Sequence, residues 1–165
     1  VTVSRGLGDV YKRQIKDIPD EAFEKIMNNN IKSNHNLCQM VIPEMVERED
    51  GNIIIVSSIG GMRASQVIGA YNVSKAADIM LVKNYASEFG KFNVRTNCIA
   101  PGLIRTDFAR ALWENPEILK SALTGTPQNR IGEPDELGGA AVFLASAAGS
   151  YVNGHTIVVL SLIHI

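Results

Sequence analysis

Residues 51–75 read GNIIIVSSIGGMRASQVIGAYNVSK. From Asn52 to Ser57 the chain is dominated by β-branched residues, a pattern typical of a buried parallel strand. A glycine-rich loop follows, and apolar residues at helical spacing then predict a helix from about Ala70 to Phe89. This strand–loop–helix unit carries most of the sequence signal for the fold.

Further helices and strands are predicted on both sides of this unit. On the N-terminal side, Asp20 can cap a helix that runs towards Glu49, with a kink or break expected at Pro43. The C-terminal predictions are a strand at 94–100, helical segments at 106–113 and 116–123, a loop at 124–132, a helix at 135–146 with proline in its first turn, and a strand at 156–159. This alternation predicts an α/β fold with a parallel sheet, whose ligands bind at the carboxyl ends of the strands.

Three side chains of the 51–75 unit could share a proton-transfer reaction. Tyr71 alone is a poor acid or base at neutral pH, because a phenol has a pKa of about 10. Lys75 lies four residues later on the same helix face, where its ammonium can stabilise the phenolate. Ser58, at the end of the strand, can hydrogen-bond a substrate oxygen beside the phenol. The tyrosine–lysine spacing is common in helices, so the surrounding sequence must support this interpretation.

That surrounding sequence resembles the short-chain dehydrogenase/reductase (SDR) family. The matching segments are GNIIIVSS at 51–58, YNVSK at 71–75, NVRTNCIAPG at 93–102 and RIGEP at 130–134. The resemblance covers residues 15–159 and implies a Rossmann-like fold, in which a parallel sheet lies between two layers of helices. It also implies an NAD(P)-dependent oxidoreductase that interconverts a carbonyl and an alcohol by hydride transfer.

The resemblance implies a catalytic set of Asn30, Ser58, Tyr71 and Lys75. Tyr71 would be the acid/base, Ser58 would orient the substrate, and Lys75 would lower the phenol pKa and bind the nicotinamide ribose. Asn30 would hold a water molecule in a proton relay with the lysine, although three adjacent asparagines leave its register open. The alternatives are a tyrosine packed against the preceding loop and a solvated helix lysine.

The resemblance also implies that residues 101–106 line the nicotinamide. The implied coenzyme contacts, in addition to Tyr71 and Lys75, are Pro101, Gly102, Ile104 through its backbone, and Thr106. Alternatively, the proline and glycine only end a strand and the threonine only caps a helix, and both interpretations can hold together. Residues 107–123 would form a mobile lid. Its larger apolar residues belong either to the substrate pocket or, as is more common at helical spacing, to the core: Phe108, Leu112 and Trp113.

The coenzyme-binding turn of the family has no counterpart in this sequence. SDR proteins bind the dinucleotide through a first strand, a glycine-rich turn and the N-terminus of the next helix, whereas Gly6-Leu7-Gly8 lacks both the strand and the spacing. We therefore expect an N-terminally truncated fragment with an incomplete sheet, whose strand at 52–57 has a bare edge. Such a chain should bind NAD or NADP poorly and show no turnover by itself. The choice between the two coenzymes stays open.

Both ends of the chain are expected to be non-native. Residues 1–14 (VTVSRGLGDVYKRQ) have no clear period, and residues 160–165 (LSLIHI) stand where the family usually has an acidic residue and paired glycines. Both resemble sequence read through from cloning adapters, which should be kept out of fold reasoning. The alternative is a disordered lead-in and a natural hydrophobic tail. The SDR-like domain is accordingly placed at residues 15–159.

The composition is that of an ordinary single globular domain. The 165 residues are 45% hydrophobic and 20% charged, with a net charge of -1. This charge gives no electrostatic reason to expect nucleic acid or anionic membranes as partners, and no apolar run reaches the roughly 18 residues of a membrane span. Cys38 and Cys98 lack a metal-type spacing and the histidines are scattered. We therefore expect no metal site and a cytoplasmic location.

Two functions are compatible with these patterns. The first is the catalytic half of an oxidoreductase that acts on a small-molecule carbonyl or alcohol. The second is a non-catalytic, SDR-like module for oligomerisation or binding, because the family commonly forms homodimers and homotetramers through the helices at 20–49 and 70–89. The intact asparagine–serine–tyrosine–lysine set favours the enzyme.

Overall fold

A three-stranded parallel sheet organises the chain. A computed structural model describes residues 15–161, and the strands follow the order β1 (Gly51–Val56), β2 (Val94–Pro101) and β3 (Thr156–Val159). Ile55 of β1 lies beside Cys98 of β2, and Cys98 lies beside Thr156 of β3. The predicted strands and the Rossmann-like α/β fold are confirmed, with part of the fold covered.

Six α-helices lie within the described residues: α1 (Asp20–Met27), α2 (Ser33–Glu47), α3 (Gly69–Phe89), α4 (Arg110–Trp113), α5 (Pro116–Leu123) and α6 (Gly138–Ala145). Short 3₁₀ turns stand at Ile15–Asp17, Ile59–Gly61, Gly90–Phe92, Pro134–Leu137 and Ala147–Gly149. Helices α3 and α5 have nearly the predicted bounds.

The first long helix is irregular, but not where its proline suggests. The expected break at Pro43 is wrong, because Pro43 lies inside an uninterrupted α2. The irregularity is a π-helical turn over Asn28–Lys32 that joins α1 to α2. Three adjacent asparagines, which are weak helix formers, occupy this turn, and π turns often mark functional sites. Asp20 begins α1 rather than capping it, since the N-cap position is Pro19.

The turn between β1 and α3 holds the end of the strand against the helix. A Cβ atom at Gly61 would lie 2.6 Å from the backbone carbon and oxygen of Lys75, so only glycine permits this approach. The hydroxyl of Ser58 accepts the backbone N–H of Gly60 at 3.0 Å and stabilises the start of the turn. The end of β1 is thereby held beside the first turns of α3.

Two predicted helices in the C-terminal part are shorter than expected. The helix predicted from residue 106 begins only at Arg110, because the preceding residues form a turn. In it the Thr106 hydroxyl accepts the N–H of Ala109 at 3.3 Å, and the Thr106 carbonyl accepts the indole N–H of Trp113 at 3.0 Å. The helix predicted at 135–146 starts as the 3₁₀ turn Pro134–Leu137 before α6 begins.

The main core lies between the sheet and the helices α2 and α3. Its buried members are Cys38, Ile42, Ile55, Val82, Tyr85 and Cys98. β1 is an edge strand of the sheet that residues 15–161 form, as expected. In that same part of the chain, no helix is both long and apolar enough to cross a membrane.

The predictions for residues 1–14 and 162–165 lie outside the described residues. Leu160 and Ser161 are described and contact the rest of the fold. Leu160 lies beside Gly102, and the Ser161 hydroxyl accepts the backbone N–H of Gln128 at 3.0 Å.

Candidate active site

The phenol of Tyr71 lines a cavity at the carboxyl end of the sheet. Tyr71 stands in the first turn of α3, and the cavity has a volume of about 440 Å³. Ser58, at the end of β1, lines the same cavity, and the interaction of its hydroxyl with the phenol lowers the pKa of Tyr71. The two groups could therefore contact one substrate oxygen.

The neighbouring serine has a different role in the structure. Ser57 is buried, and its hydroxyl donates to the backbone carbonyl of Lys75 at 2.7 Å. This bond ties the end of β1 to α3 one turn beyond Tyr71. Because side chains alternate along a strand, Ser57 and Ser58 point to different sides of it.

Lys75 lies one turn after Tyr71 and is largely buried. Its Nζ donates to the carbonyl of Val56 at 3.0 Å and to Oδ2 of Asp78 at 2.9 Å. The ammonium is 6.0 Å from the centroid of the Tyr71 ring. An ammonium has three donors, so one N–H of Lys75 remains for a further partner.

The pKa of Tyr71 is raised above its usual value. Burial of the phenol is the main cause, since a phenolate is costly to desolvate. The hydrogen bond with Ser58 acts in the opposite direction, and the charge of Asp78 raises the pKa further. The phenol is therefore protonated at neutral pH and available as a proton donor.

Asn30 lies in the π-helical turn and contacts α3. Its side-chain amide donates to the hydroxyl of Ser74 at 2.8 Å, and that hydroxyl donates to the carbonyl of Tyr71 at 2.7 Å. Neither contact reaches Lys75. The structure brings Ser58, Tyr71 and Lys75 together. The side chain of Asn30 contacts Ser74, the residue that precedes Lys75 in α3.

Two residues that the sequence reasoning missed belong to this cluster. Asp78 is fully buried and pairs with Lys75, and Asn34 donates to its other oxygen at 2.9 Å. The sequence signal for Asp78 is its spacing of three residues from Lys75 on a helix face that is otherwise apolar. Because an apolar helix face packs against the core, charged residues on it are expected to be buried and paired.

The segment after β2 forms the opposite wall of the cavity. Its lining residues there are Pro101, Gly102, Leu103, Ile104 and Thr106. Ile104 forms a parallel β-bridge with Gly132. The hydrogen bonds of this bridge come from the flanking residues, because the Arg105 N–H donates to the Gly132 carbonyl and the Gly132 N–H donates to the Leu103 carbonyl. In such a bridge the N–H and C=O of Ile104 itself point away from Gly132. These backbone groups fit an amide such as the nicotinamide carboxamide.

Thr106 and Phe108 stand at the outer side of this cavity. The interpretation of Thr106 as a helix cap is wrong, because the N-cap position of α4 is Ala109 and the Thr106 hydroxyl instead accepts the N–H of Ala109 in the turn before the helix. Phe108 is 64% exposed, so it is not a core residue. Its ring centroid lies 5.9 Å from that of Tyr71. It therefore belongs to the cavity wall beside the phenol.

The described part of the chain holds no group of three or more histidine, cysteine, aspartate or glutamate side chains that could bind a metal ion. Both cysteines are buried free thiols. Burial raises their thiol pKa values, so they are poorly suited to nucleophilic chemistry.

Comparison with known proteins identifies the family. Residues 3–160 match a family model described as enoyl-(acyl carrier protein) reductase. The bovine (Bos taurus) dehydrogenase/reductase SDR family member 4 is 42% identical over 159 residues, which is 96% of this chain. The chain belongs to the short-chain dehydrogenase/reductase family. It spans 57% of the length of that bovine SDR protein.

Solved structures resemble this SDR chain closely. A gluconate 5-dehydrogenase from Burkholderia cenocepacia, in complex with NADP and tartrate, has a TM-score of 0.89 and 32% identity, covering 91% of this chain and 59% of that one. A 3-oxoacyl-[acyl-carrier protein] reductase from Brucella melitensis with bound NAD has a TM-score of 0.85 and 28% identity, covering 93% and 56% respectively. Structural relatives of this SDR chain thus bind either NADP or NAD.

Proposed function

We propose that this chain carries the proton-transfer half of an NAD(P)-dependent oxidoreductase that interconverts a carbonyl and an alcohol. The observation that carries the proposal is that Tyr71 and Ser58 line one cavity, with the Lys75 ammonium 6.0 Å from the centroid of the Tyr71 ring. Membership of the SDR family supports this class of reaction.

Each of the three side chains has a distinct part in carbonyl reduction. The Tyr71 hydroxyl gives its proton to the carbonyl oxygen, which becomes the hydroxyl of the alcohol. Ser58 donates a hydrogen bond to the same oxygen while negative charge develops on it. The Lys75 ammonium stabilises the phenolate that remains. In alcohol oxidation the phenolate takes the proton back.

The nicotinamide coenzyme supplies or accepts the hydride when it is bound. The residues that would hold it are the cavity wall at 101–106, with the backbone of Ile104 at the carboxamide, and the remaining N–H of Lys75 at a ribose hydroxyl. Thr106 is the last residue of this wall and would also contact the coenzyme. Asn30 would act through a water molecule, since its side chain contacts Ser74 rather than Lys75.

The cavity favours an apolar carbonyl substrate. The aliphatic and aromatic residues that line it include Ile59, Ile68, Leu103, Phe108, Leu112 and Leu137. The polar side chains of Ser58 and Tyr71 converge on one side, as expected where a single polar atom of the substrate is recognised.

The decisive experiment is Tyr71→Phe in the full-length protein. We expect activity towards a panel of ketones, diketones and alcohols, with NADH/NAD and NADPH/NADP, to fall by about a hundred- to ten-thousand-fold, because the proton donor is lost. Tyr151→Phe is the matched control, since it removes the same hydroxyl from a fully exposed side chain. Full activity of Tyr71→Phe would refute the assignment, and inactivity of the wild-type protein across the panel would favour the non-catalytic alternative.

A further inference from the structure

We propose that Asp78, held by Asn34, is a positioning residue that fixes the Lys75 ammonium beside Tyr71. The inference rests on the proposed function for the role of Tyr71. It adds a second layer to the site, on the side of Lys75 that faces α2.

Both carboxylate oxygens of Asp78 have a partner. Oδ2 accepts from Nζ of Lys75 at 2.9 Å, and Oδ1 accepts from Nδ2 of Asn34 at 2.9 Å. The Asp78 side chain is 0% exposed and that of Lys75 is 12% exposed. A charge buried this completely is tolerated only with such partners. The pair therefore has one well-defined geometry rather than that of a mobile surface ion pair.

Asn34 connects Asp78 to the π-helical turn. Its Nδ2 also lies 2.7 Å from the carbonyl oxygen of Asn30, to which it donates. The side chain of Asn30 in turn donates to Ser74. The π-helical turn and α3 are thus joined at two neighbouring points, and the positions of Asn30 and Lys75 depend on each other.

The position of the ammonium decides what it can do for Tyr71. The Val56 carbonyl and Asp78 accept hydrogen bonds from two of its three N–H groups. These two hydrogen bonds fix the direction in which the third N–H points. The negative charge of Asp78 also partly offsets the ammonium. After burial, which is the largest cause, this charge is a further reason why the pKa of Tyr71 is raised. A protonated phenol is the form that carbonyl reduction requires.

Other titratable groups surround the network on each packed element. β2 contributes Cys98, whose thiol pKa is raised first by burial and also by the charge of Asp78. α2 contributes Cys38, one turn beyond Asn34, and the loop before α3 places Arg63 at the cavity. Besides burial, the Ser58 hydroxyl and the charge of Asp78 act on the pKa of Tyr71.

The test is the titration of Tyr71 in Asp78→Asn, made in the full-length protein. NMR of isotope-labelled tyrosine, with Tyr71 assigned by its loss in Tyr71→Phe, follows the phenol directly and needs no turnover. Asparagine keeps the shape and an acceptor for Lys75 but removes the charge, so we expect the phenol pKa to fall. The pH at which alcohol oxidation becomes fast should fall by the same amount.

Glu88→Gln is the matched control, because it removes a carboxylate from an exposed position near the end of the same helix and should leave Tyr71 unchanged. If Asp78→Asn does not fold, Asp78→Ser tests the same shift with a smaller side chain. A folded variant in which the Tyr71 pKa is unchanged or raised would overturn the inference, even if its stability is reduced. The expected shift in a protein without turnover would support the inference and count against the proposed function alone.

Discussion

At the residue scale, the phenol of Tyr71 is subject to opposing influences. Burial and the charge of Asp78 favour the protonated form, whereas the hydrogen bond with Ser58 favours the phenolate. Removal of the Ser58 hydroxyl should therefore raise the pKa of Tyr71, and removal of the Asp78 charge should lower it. This opposition separates an electrostatic role from a merely structural one.

Ser58→Ala should raise the pKa of Tyr71, because the interaction that stabilises the phenolate is lost. Carbonyl reduction should fall by about a hundredfold, since the substrate oxygen loses one of its donors. NMR titration of the labelled phenol and steady-state turnover of the full-length protein measure the two effects. Ser150→Ala, at an exposed position, is the control. A lowered pKa in Ser58→Ala would contradict the role given to this serine.

The sequence allowed some of these neighbours to be predicted and not others. Ser58, Tyr71 and Lys75 could be brought together because a strand end and a helical spacing of four fix their directions. Asp78 was missed, because an aspartate in a helix is usually solvated and its spacing from Lys75 is a weak signal by itself. Only the packing of α2 on α3 shows that it is buried and that Asn34 reaches it.

At the element scale, the contact between the Ile59–Gly61 turn and α3 is one of backbone against backbone. Gly61→Ala would place a Cβ atom 2.6 Å from the main chain of Lys75, which cannot yield as a flexible side chain would. We expect a loss of about 1–3 kcal/mol in the free energy of unfolding. Denaturant unfolding followed by circular dichroism measures it.

Gly125→Ala is the matched control for this prediction. No atom lies within 4 Å of the Cβ it would add, so the change should stay within about 0.5 kcal/mol. Equal stability of the two variants would show that the turn can move away from α3 at little cost. Activity should fall in Gly61→Ala as well, because the same turn positions Ser58 against Tyr71.

The bounds of regular elements were predicted well, and the irregular ones were not. β1 and α3 follow from β-branched runs and helical spacing, which are local signals. The π-helical turn at Asn28–Lys32 is different, because it is favoured by contacts with α3 that lie 44 residues away in sequence, from Asn30 to Ser74. Pro43 was a strong local signal for a helix break, but α2 continues through it.

At the scale of the whole molecule, the helices α2 and α3 cover one face of the sheet and expose apolar side chains outwards. This outer apolar face consists of Leu37, Met40, Val41, Val73 and Met80. Apolar residues grouped on neighbouring helices are typical of protein–protein interfaces. The family resemblance implied homodimers or homotetramers through these same two helices. We therefore expect the full-length protein to associate through this face.

Met40→Glu tests this association directly. Met40 is 76% exposed in the single chain, so a glutamate there should not disturb folding. In an associated protein the new carboxylate would lose water without gaining a partner, and dissociation should become at least about tenfold more favourable. Sedimentation velocity over a range of concentrations measures the species present.

Ile118→Glu is the control, because Ile118 is an apolar residue at an exposed position on α5. This variant should show the same distribution of species as the wild type. A wild-type protein that is monomeric at every concentration would remove the basis of the prediction. If both variants dissociate alike, the effect of Met40→Glu is not specific to the α2–α3 surface and the assignment of the contact to this face fails.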